Sequence, residues 1–415
     1  MTASVRPGGP VVEVADILRA HGAAYRTTHP VSAEQAAVMR HLVQCRTAAL
    51  GGHVDSCDQC GFVRISYNSC RDRHCPKCQA TAREQWIASR LERVLPVEHF
   101  HVVFTLPDEL NPLALRNQTL LYNLLFQAAS SSLLELGADP KRLGAQVGFT
   151  AILHTWGQNL LFHPHLHCVV TAGGLSDDGH RWAPARQGYL FPVKVIGRLF
   201  RGKFLAGLGK LYQDGSLSLA GSTAPLADRR TFASLRDRLY RTDWVVYVKP
   251  PFGGVEQVFR YLGRYSHRVA ISNSRLISLD NGVVAFRYKD YRQGDRWKVM
   301  QLSAEEFIRR FLLHVLPSRF VRIRHYGLLA GRNIHGRLQQ ARQLLVQIDS
   351  TPQTPVPPST PAGSVLVPVA DTEHDTDRCP RCRSPLTRHP LDRSVAPPTA
   401  GDAAGLSAVP TWDSS

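Results

Sequence analysis

The stretch Phe162-His163-Pro164-His165-Leu166-His167-Cys168-Val169-Val170-Thr171 decides how the rest of the chain is interpreted. His165 and His167 are separated by one residue and flanked by apolar and β-branched residues, a pattern that predicts a β-strand. Side chains two residues apart on a strand project from the same face. Two neighbouring imidazoles form one half of a metal site. The alternative is that these histidines pack in a core or face solvent. A third histidine nearby, His163, favours the metal site.

The composition predicts a basic protein with a large core. The chain has 415 residues, 43% of them hydrophobic, enough for two or three domains. The formal charge of +17 and the pI of about 9.8 favour a polyanionic partner, nucleic acid first and anionic membrane second. Because the sequence has no long apolar run and no signal-peptide pattern, we expect a cytoplasmic protein, associated with the bacterial nucleoid, and no membrane partner.

Six of the nine cysteines fall between Cys45 and Cys78, which in a cytosolic chain indicates metal binding and not disulfides. Cys57-x2-Cys60 and Cys75-x2-Cys78 are two knuckles that together supply four thiolates. This spacing predicts one structural Zn²⁺ held by Cys57, Cys60, Cys75 and Cys78. Chance pairing or a redox dithiol is the alternative.

Further cysteines and histidines leave open whether one or two zinc ions bind. The candidate ligands of a second, interleaved site are Cys45, His53, Cys70 and His74. A last Cys-x2-Cys, Cys379 to Cys382, has no partner cysteine downstream, and unless it borrows ligands from elsewhere we interpret it as a degenerate remnant.

A pair of tyrosines follows the histidine stretch. Tyr261 and Tyr265 are four residues apart on a predicted helix, so their hydroxyls face the same way. Arg260, Arg264 and Arg268 form a parallel stripe, which suits a phosphate backbone better than a protein core. A metal on the histidines and a tyrosine hydroxyl are two requirements for covalent phosphodiester cleavage, as Lewis acid and nucleophile. Tyrosines that pack a core are the alternative.

Three segments resemble the HUH superfamily of single-strand nucleases and, more closely, the IS91 family of rolling-circle transposases. They are Tyr67-Asn-Ser-Cys70-Arg-Asp-Arg-His74-Cys75-Pro-Lys-Cys78-Gln79, His154-Thr-Trp-Gly-Gln158-Asn-Leu-Leu-Phe-His163-Pro-His165-Leu-His167-Cys168, and Tyr261-Leu-Gly-Arg-Tyr265-Ser-His-Arg268-Val-Ala-Ile-Ser272. The resemblance implies an α+β, ferredoxin-like core with an antiparallel sheet, and transposition through single-stranded DNA.

The resemblance also implies roles for individual residues. His165 and His167 would bind Mg²⁺ or Mn²⁺ with Gln158 as the third ligand, and His163, His154 and His101 are alternatives to Gln158. Tyr261 and Tyr265 would be the nucleophiles. The residues expected to hold DNA phosphates are Arg260, Arg264, Arg268 and Lys249.

The predicted organisation has five parts. They are an N-terminal segment (1–35), a zinc-binding DNA-recognition domain (36–94), an HUH tyrosine nuclease domain (95–275), a C-terminal extension of the catalytic region (276–340), and a low-complexity, mostly disordered tail (341–415). The expected function is metal-dependent cleavage and rejoining of single strands through a 5′-phosphotyrosine. The alternatives are a replication initiator or relaxase with the same chemistry, a non-catalytic zinc-dependent DNA-binding protein, and a small-molecule metallohydrolase, which the high charge disfavours.

Overall fold

The computed structural model describes residues 12–78, 94–252, 270–290, 294, 296–349 and 377–391. The predicted helix that carries Tyr261 and Tyr265 lies outside these residues, as does nearly all of the helix predicted over residues 80–94. Among the described residues, no helix combines the length and the apolar content that crossing a membrane requires.

The centre of the protein is an antiparallel sheet in which five strands are ordered β11-β4-β5-β3-β7 and a short sixth strand, β6, pairs with β5. Its strands are β3 (His99–Thr105), β4 (Gln146–Trp156), β5 (Phe162–Leu175), β6 (Trp182–Pro184), β7 (Val246–Phe252) and β11 (Ile323–Gly327). The predicted α+β class with an antiparallel sheet is confirmed. The histidine stretch lies on β5, which has hydrogen-bonded neighbours on both sides and is buried along nearly its whole length.

The described helices are α1 (Val14–Thr28), α2 (Ala33–Gln44), α3 (Asn111–Arg116), α4 (Gln118–Ala138), α5 (Val193–Gln213), α6 (Arg229–Arg241), α7 (Ala304–Leu312) and α8 (Arg337–Asp349). The sequence predicts one helix from Asn111 to Leu136, but the structure divides it at Asn117, whose backbone leaves the helical region. The Asn117 amide accepts from the Ser218 backbone N–H and donates to the Ser218 carbonyl, so it fixes this break to a neighbouring loop.

The main core lies between the central sheet and helices α4 and α5. Leu166, Cys168 and Val170 of β5 point into it and pack with aromatic residues such as Phe126 and Phe200. Because side chains alternate along a strand, His165 and His167 project from the opposite face of the sheet. The helices therefore cover the face of the sheet opposite to the histidines.

A second core joins the N-terminal helices to a three-stranded sheet ordered β10-β9-β8. These strands are β8 (Leu276–Asp280), β9 (Val283–Asp290) and β10 (Arg296–Ser303). The predicted hairpin turn is confirmed at Asn281 and Gly282, which both have positive φ (48° and 78°) as a tight type I′ turn requires. Ile17, Leu42 and Phe307 are fully buried here together with Cys45 and Cys75.

A third sheet combines the two ends of the chain. β1 (Gly52–Ser56) pairs on one side with β2 (Val63–Tyr67) and on the other with β12 (Thr387–Leu391). The sequence predicts a mostly disordered tail from residue 341. In the described part of that range, however, helix α8 continues to Asp349 and residues 377–391 fold onto the N-terminal module. Composition could not predict this, since the tail is stabilised by pairing with a distant strand.

Candidate metal centres

Three imidazoles converge on the face of the central sheet that lies opposite helices α4 and α5. His165 and His167 are neighbours on that face of β5, and His154 of β4 lies directly opposite His165 in the strand register. All three side chains are buried, and one ring nitrogen from each lies within 4.8 Å of the others. Two ligands on roughly 2.1 Å metal–nitrogen bonds are separated by roughly 3.0–3.4 Å. The Nε2 atoms of His165 and His167 are 3.1 Å apart, so this pair fits a shared cation.

Hydrogen bonds fix which nitrogen of His165 faces the cluster. Nδ1 of His165 lies 2.7 Å from the carbonyl oxygen of His163, which can only accept, so Nδ1 carries the proton. Nε2 therefore presents a lone pair. Burial, with a smaller contribution from the neighbouring His163, lowers the pKa of His165 to about 4. The ring is neutral at pH 7, which is the state that binds a metal.

A fourth histidine supports the cluster from the neighbouring strand. Nε2 of His101 lies 2.8 Å from Nδ1 of His167, and the two rings stack with their centroids 5.0 Å apart. Burial, then the charge of Lys249 and the nearby His165, lowers the pKa of His101 to about 3. A neutral His101 can accept a hydrogen bond from the Nδ1–H of His167, and Nε2 of His167 then has a lone pair for a metal. Supporting bonds of this kind orient metal ligands in proteins.

His154 is oriented by an aromatic stack. The Trp156 ring lies parallel to the His154 imidazole, with their centroids 4.5 Å apart. Trp156 in turn contacts the edge of the buried His314 ring. His314 is held between the Thr155 hydroxyl and the Leu160 carbonyl, so the end of β4 and the turn after it form one packed unit.

The structure therefore brings the predicted pair His165 and His167 together and places His154 beside them. Gln158 lies in the turn between β4 and β5, where its backbone carbonyl accepts from Arg275, and its role as a ligand stays a prediction. His163 is only half-buried and its ring faces Asp108. The tyrosines and the arginine stripe (Tyr261, Tyr265, Arg260, Arg264 and Arg268) lie outside the described residues.

Lys249 is exposed on β7 and pairs with His101 in the strand register. Paired residues on neighbouring strands lie on the same face of a sheet. The lysine is therefore on the histidine face, and its Nζ lies 6.0 Å from the centre of the Tyr247 ring.

The cysteines form two clusters, but not the predicted ones. The first consists of Cys45, Cys70, Cys75 and Cys78. Cys45 lies 3.5 Å from the sulfur atoms of both Cys75 and Cys78, and Cys70 lies 3.6 Å from Cys78. A tetrahedral zinc site with roughly 2.3 Å bonds has sulfur–sulfur edges of roughly 3.8 Å. The four thiols thus fit a Zn²⁺ ion, and their position in the second core ties the ion to helices α1 and α2.

The grouping of Cys57 and Cys60 with Cys75 and Cys78 is not the one that the structure forms. Cys57 and Cys60 lie instead with Cys379 and Cys382 of the C-terminal segment. Cys379 and Cys382 are therefore not isolated: they lie with cysteines from elsewhere in the chain, which is the exception that the sequence left open. The signal for this grouping is that Cys57-x2-Cys60 and Cys379-x2-Cys382 have the same spacing. It was missed because more than 300 residues separate the two knuckles in the sequence.

The two histidines predicted to complete a second zinc site have other partners. Nδ1 of His74 pairs with the partly buried Asp72 carboxylate and its Nε2 accepts from the Leu316 backbone N–H. His53 lies 3.6 Å from Asp55. His74 thereby joins the cysteine module to the segment after helix α7, which is a structural role.

Comparisons with known proteins match both the cysteine-rich region near the N-terminus and the region that carries the three histidines. A family model for a transposase zinc-binding domain, Zn_Tnp_IS91, matches residues 17–106 and includes the first cysteine cluster. A transposase family model, Y2_Tnp, matches residues 148–336 and includes the three histidines and both tyrosines.

Two curated relatives cover most of the chain. The transposase y4qJ of Sinorhizobium fredii is 54% identical over 334 residues, which is 80% of this chain and 84% of the relative. The transposase for insertion sequence element IS801 of Pseudomonas savastanoi is 33% identical over 297 residues, 70% of this chain and 69% of the relative. No solved structure matches the chain.

Proposed function

The chain belongs to the IS91 family of transposases, and we propose that it cleaves and rejoins single-stranded DNA in rolling-circle transposition through a covalent 5′-phosphotyrosine. The observation that carries this proposal is the convergence of His154, His165 and His167 on one face of the central sheet. We place the reaction in the cytoplasm, on DNA of the nucleoid.

We propose that the three imidazoles hold a divalent cation at the scissile phosphate. The donor set fits, because all three ligands are buried nitrogens and His165 presents a lone pair toward His167. Imidazole donors suit Mn²⁺ better than Mg²⁺, which prefers oxygen. The bound metal would polarise a non-bridging phosphate oxygen. Gln158 remains our candidate for an oxygen ligand, close in sequence to His154.

We propose Tyr261 and Tyr265 as the nucleophiles. The phenolic oxygen would form a bond to phosphorus while the bond to the 3′-oxygen breaks, leaving phosphotyrosine on one DNA end and a 3′-hydroxyl on the other. The reverse attack by a 3′-hydroxyl rejoins strands. Two tyrosines allow one to hold the donor end while the other cleaves the target.

Basic residues would hold the DNA strand across this face. Lys249 supports this part of the proposal, since it is exposed and shares the sheet face with His101. Arg260, Arg264 and Arg268, which lie close to the two tyrosines in sequence, would contact further phosphates. The +17 charge of the chain is consistent with a polyanionic substrate.

The test is adduct formation on labelled single-stranded DNA carrying an element end, in the presence of Mn²⁺. We expect a denaturation-resistant protein–DNA adduct that Tyr261→Phe, Tyr265→Phe or the double variant reduces or removes. Tyr240→Phe is the matched control, because Tyr240 is an exposed tyrosine on helix α6. An adduct that persists in the double tyrosine variant would contradict the nucleophile assignment. Binding with no adduct would favour a DNA-binding protein without catalysis.

A further inference from the structure

Two knuckles at opposite ends of the chain have the same backbone fold. In the first, the N–H of Cys57 donates to the Phe62 carbonyl and the N–H of Gly61 donates to the Cys57 carbonyl. In the second, the N–H of Cys379 donates to Ser384 and the N–H of Arg383 donates to Cys379. Gly61 and Arg383, at equivalent positions, both have positive φ, 68° and 62°. Residues 379–384 are therefore a complete zinc-type knuckle.

The sulfur atoms of the two knuckles meet in one cluster. Cys57 lies 3.4 Å from Cys382, and Cys60 lies 3.5 Å from Cys379, although the second pair is 319 residues apart in the chain. All four sulfur atoms lie within 4.8 Å of one another. These distances are far longer than a disulfide bond of roughly 2.0 Å and close to the edge of a zinc tetrathiolate.

Contacts around the sulfur atoms show that the two segments form one small unit. Cys57 and Cys379 are buried with Phe62, and Leu386 packs against them. The Arg381 guanidinium lies 5.6 Å from the centre of the Phe62 ring. This apolar cluster is too small to hold a polypeptide segment alone, so a further crosslink is expected on physical grounds.

An ion-pair network fastens the next part of the C-terminal segment. Strand β12 pairs with β1 over five residues, from Thr387 opposite Ser56 to Leu391 opposite Gly52. Asp55 of the central strand β1 is buried, and its carboxylate accepts from Arg64 of β2 at 2.8 Å and from Arg388 of β12 at 2.7 Å. Without Arg388 this buried carboxylate would lose one of its two arginine partners.

We propose that Cys57, Cys60, Cys379 and Cys382 bind a second structural zinc ion, which fastens residues 377–391 to the N-terminal module. This ion is distinct from the one expected at Cys45, Cys70, Cys75 and Cys78. The transposase zinc-binding domain matched over residues 17–106 contains only half of its ligands. The zinc-binding module is therefore completed by the other end of the chain, and β1 becomes the central strand of its sheet.

The experiment compares zinc content per chain in full-length variants, measured by atomic emission on purified protein. We expect Cys379→Ser/Cys382→Ser to lose one equivalent relative to wild type, and Cys57→Ser/Cys60→Ser to lose one as well. The quadruple variant should also lose one and not two, because both knuckles share the ion. Arg381→Ser, which changes the knuckle but keeps its thiols, should retain all zinc. Unchanged zinc content in Cys379→Ser/Cys382→Ser would overturn the proposal.

A second measurement avoids variants that fail to fold. A specific protease site is inserted within residues 355–365 of the full-length chain, and the folded protein is cut. We expect the C-terminal fragment to remain bound during gel filtration and to separate when a zinc chelator is added. Separation without chelator, or retention after zinc has been removed completely, would contradict a zinc-dependent attachment.

Discussion

Nε2 of His165 lies 3.1 Å from Nε2 of His167, and the bond from Nδ1 of His165 to the His163 carbonyl means that Nε2 of His165 bears a lone pair. Two imidazole nitrogens at this distance share either a proton or a cation. Burial lowers the pKa of His165 to about 4, so the ring is neutral at pH 7 and its Nε2 can accept an N–H from His167 or bind a metal ion. The metal ion that we propose at this pair would replace that hydrogen bond with two coordinate bonds.

Replacing His154 should remove the third nitrogen of this site. We expect His154→Ala to weaken Mn²⁺ binding by more than the roughly 10–100-fold typical of a supporting residue. Gln158→Ala should weaken it less, because the amide oxygen is a neutral, weaker ligand. Mn²⁺ titration by calorimetry, on protein whose thiol sites are filled with zinc, checks both. His180→Ala, at an exposed histidine, is the control. An unchanged affinity in His154→Ala would exclude this residue from the site.

His101 should act on the metal through His167. Its Nε2 accepts from Nδ1 of His167 at 2.8 Å and so holds the ligand ring in place. We expect His101→Ala to weaken Mn²⁺ binding roughly 10–100-fold. His101→Gln, whose side-chain oxygen can still accept, should recover part of the affinity in the same titration. Equal losses in the two variants would show that packing and not the hydrogen bond is responsible.

The strands that hold the site could be predicted from sequence because their signal is local. Apolar and β-branched runs predict β3 and β4 to within two residues and the start of β5 at Phe162, and the Asn-Gly pair predicts the β8–β9 turn. The stretch predicted as the third strand ends at Thr171, four residues before β5 ends at Leu175. The identity of the third imidazole was less clear. His154 is 11 residues from His165 in the chain, and only the register of β4 against β5 places the two opposite each other.

The cysteine groupings could not be predicted, because they depend on which knuckles meet in space. Cys57-x2-Cys60 and Cys75-x2-Cys78 are neighbours in sequence, yet each has a different partner set. The Cys57-x2-Cys60 knuckle lies with Cys379 and Cys382, more than 300 residues away, because β12 pairs with the side of β1 that β2 does not occupy. Spacing within a knuckle predicts a zinc ligand pair, but the choice of partner is a tertiary property.

Lys249 should contribute to DNA affinity through phosphate contact alone. We expect Lys249→Ala to weaken binding of single-stranded DNA about equally for all sequences, and to reduce the slope of log K against log salt by roughly 0.7. Fluorescence anisotropy with a labelled oligonucleotide at several salt concentrations measures both. Lys203→Ala is the matched control, because Lys203 pairs with Glu135 on the helical side of the sheet. An unchanged salt slope in Lys249→Ala would show that this lysine does not contact the strand.

His314 should make the fold sensitive to acid. The buried ring donates from Nε2 to the Leu160 carbonyl and accepts at Nδ1 from Thr155, and burial lowers its pKa from 6.5 to about 4. As the pH falls, the unfolded chain therefore takes up this proton before the folded protein does. The part of the free energy of unfolding that is present above pH 6.5 is then lost as the pH approaches 4. The loss due to His314 is on the order of 3 kcal/mol.

Urea unfolding across this range should show a shallower decline for His314→Gln than for wild type, by up to roughly 1.4 kcal/mol per pH unit. The difference isolates His314, because other buried histidines and the thiol sites are common to both proteins. His180→Gln should keep the wild-type profile, and a His314→Gln profile parallel to wild type would mean that His314 does not titrate on unfolding.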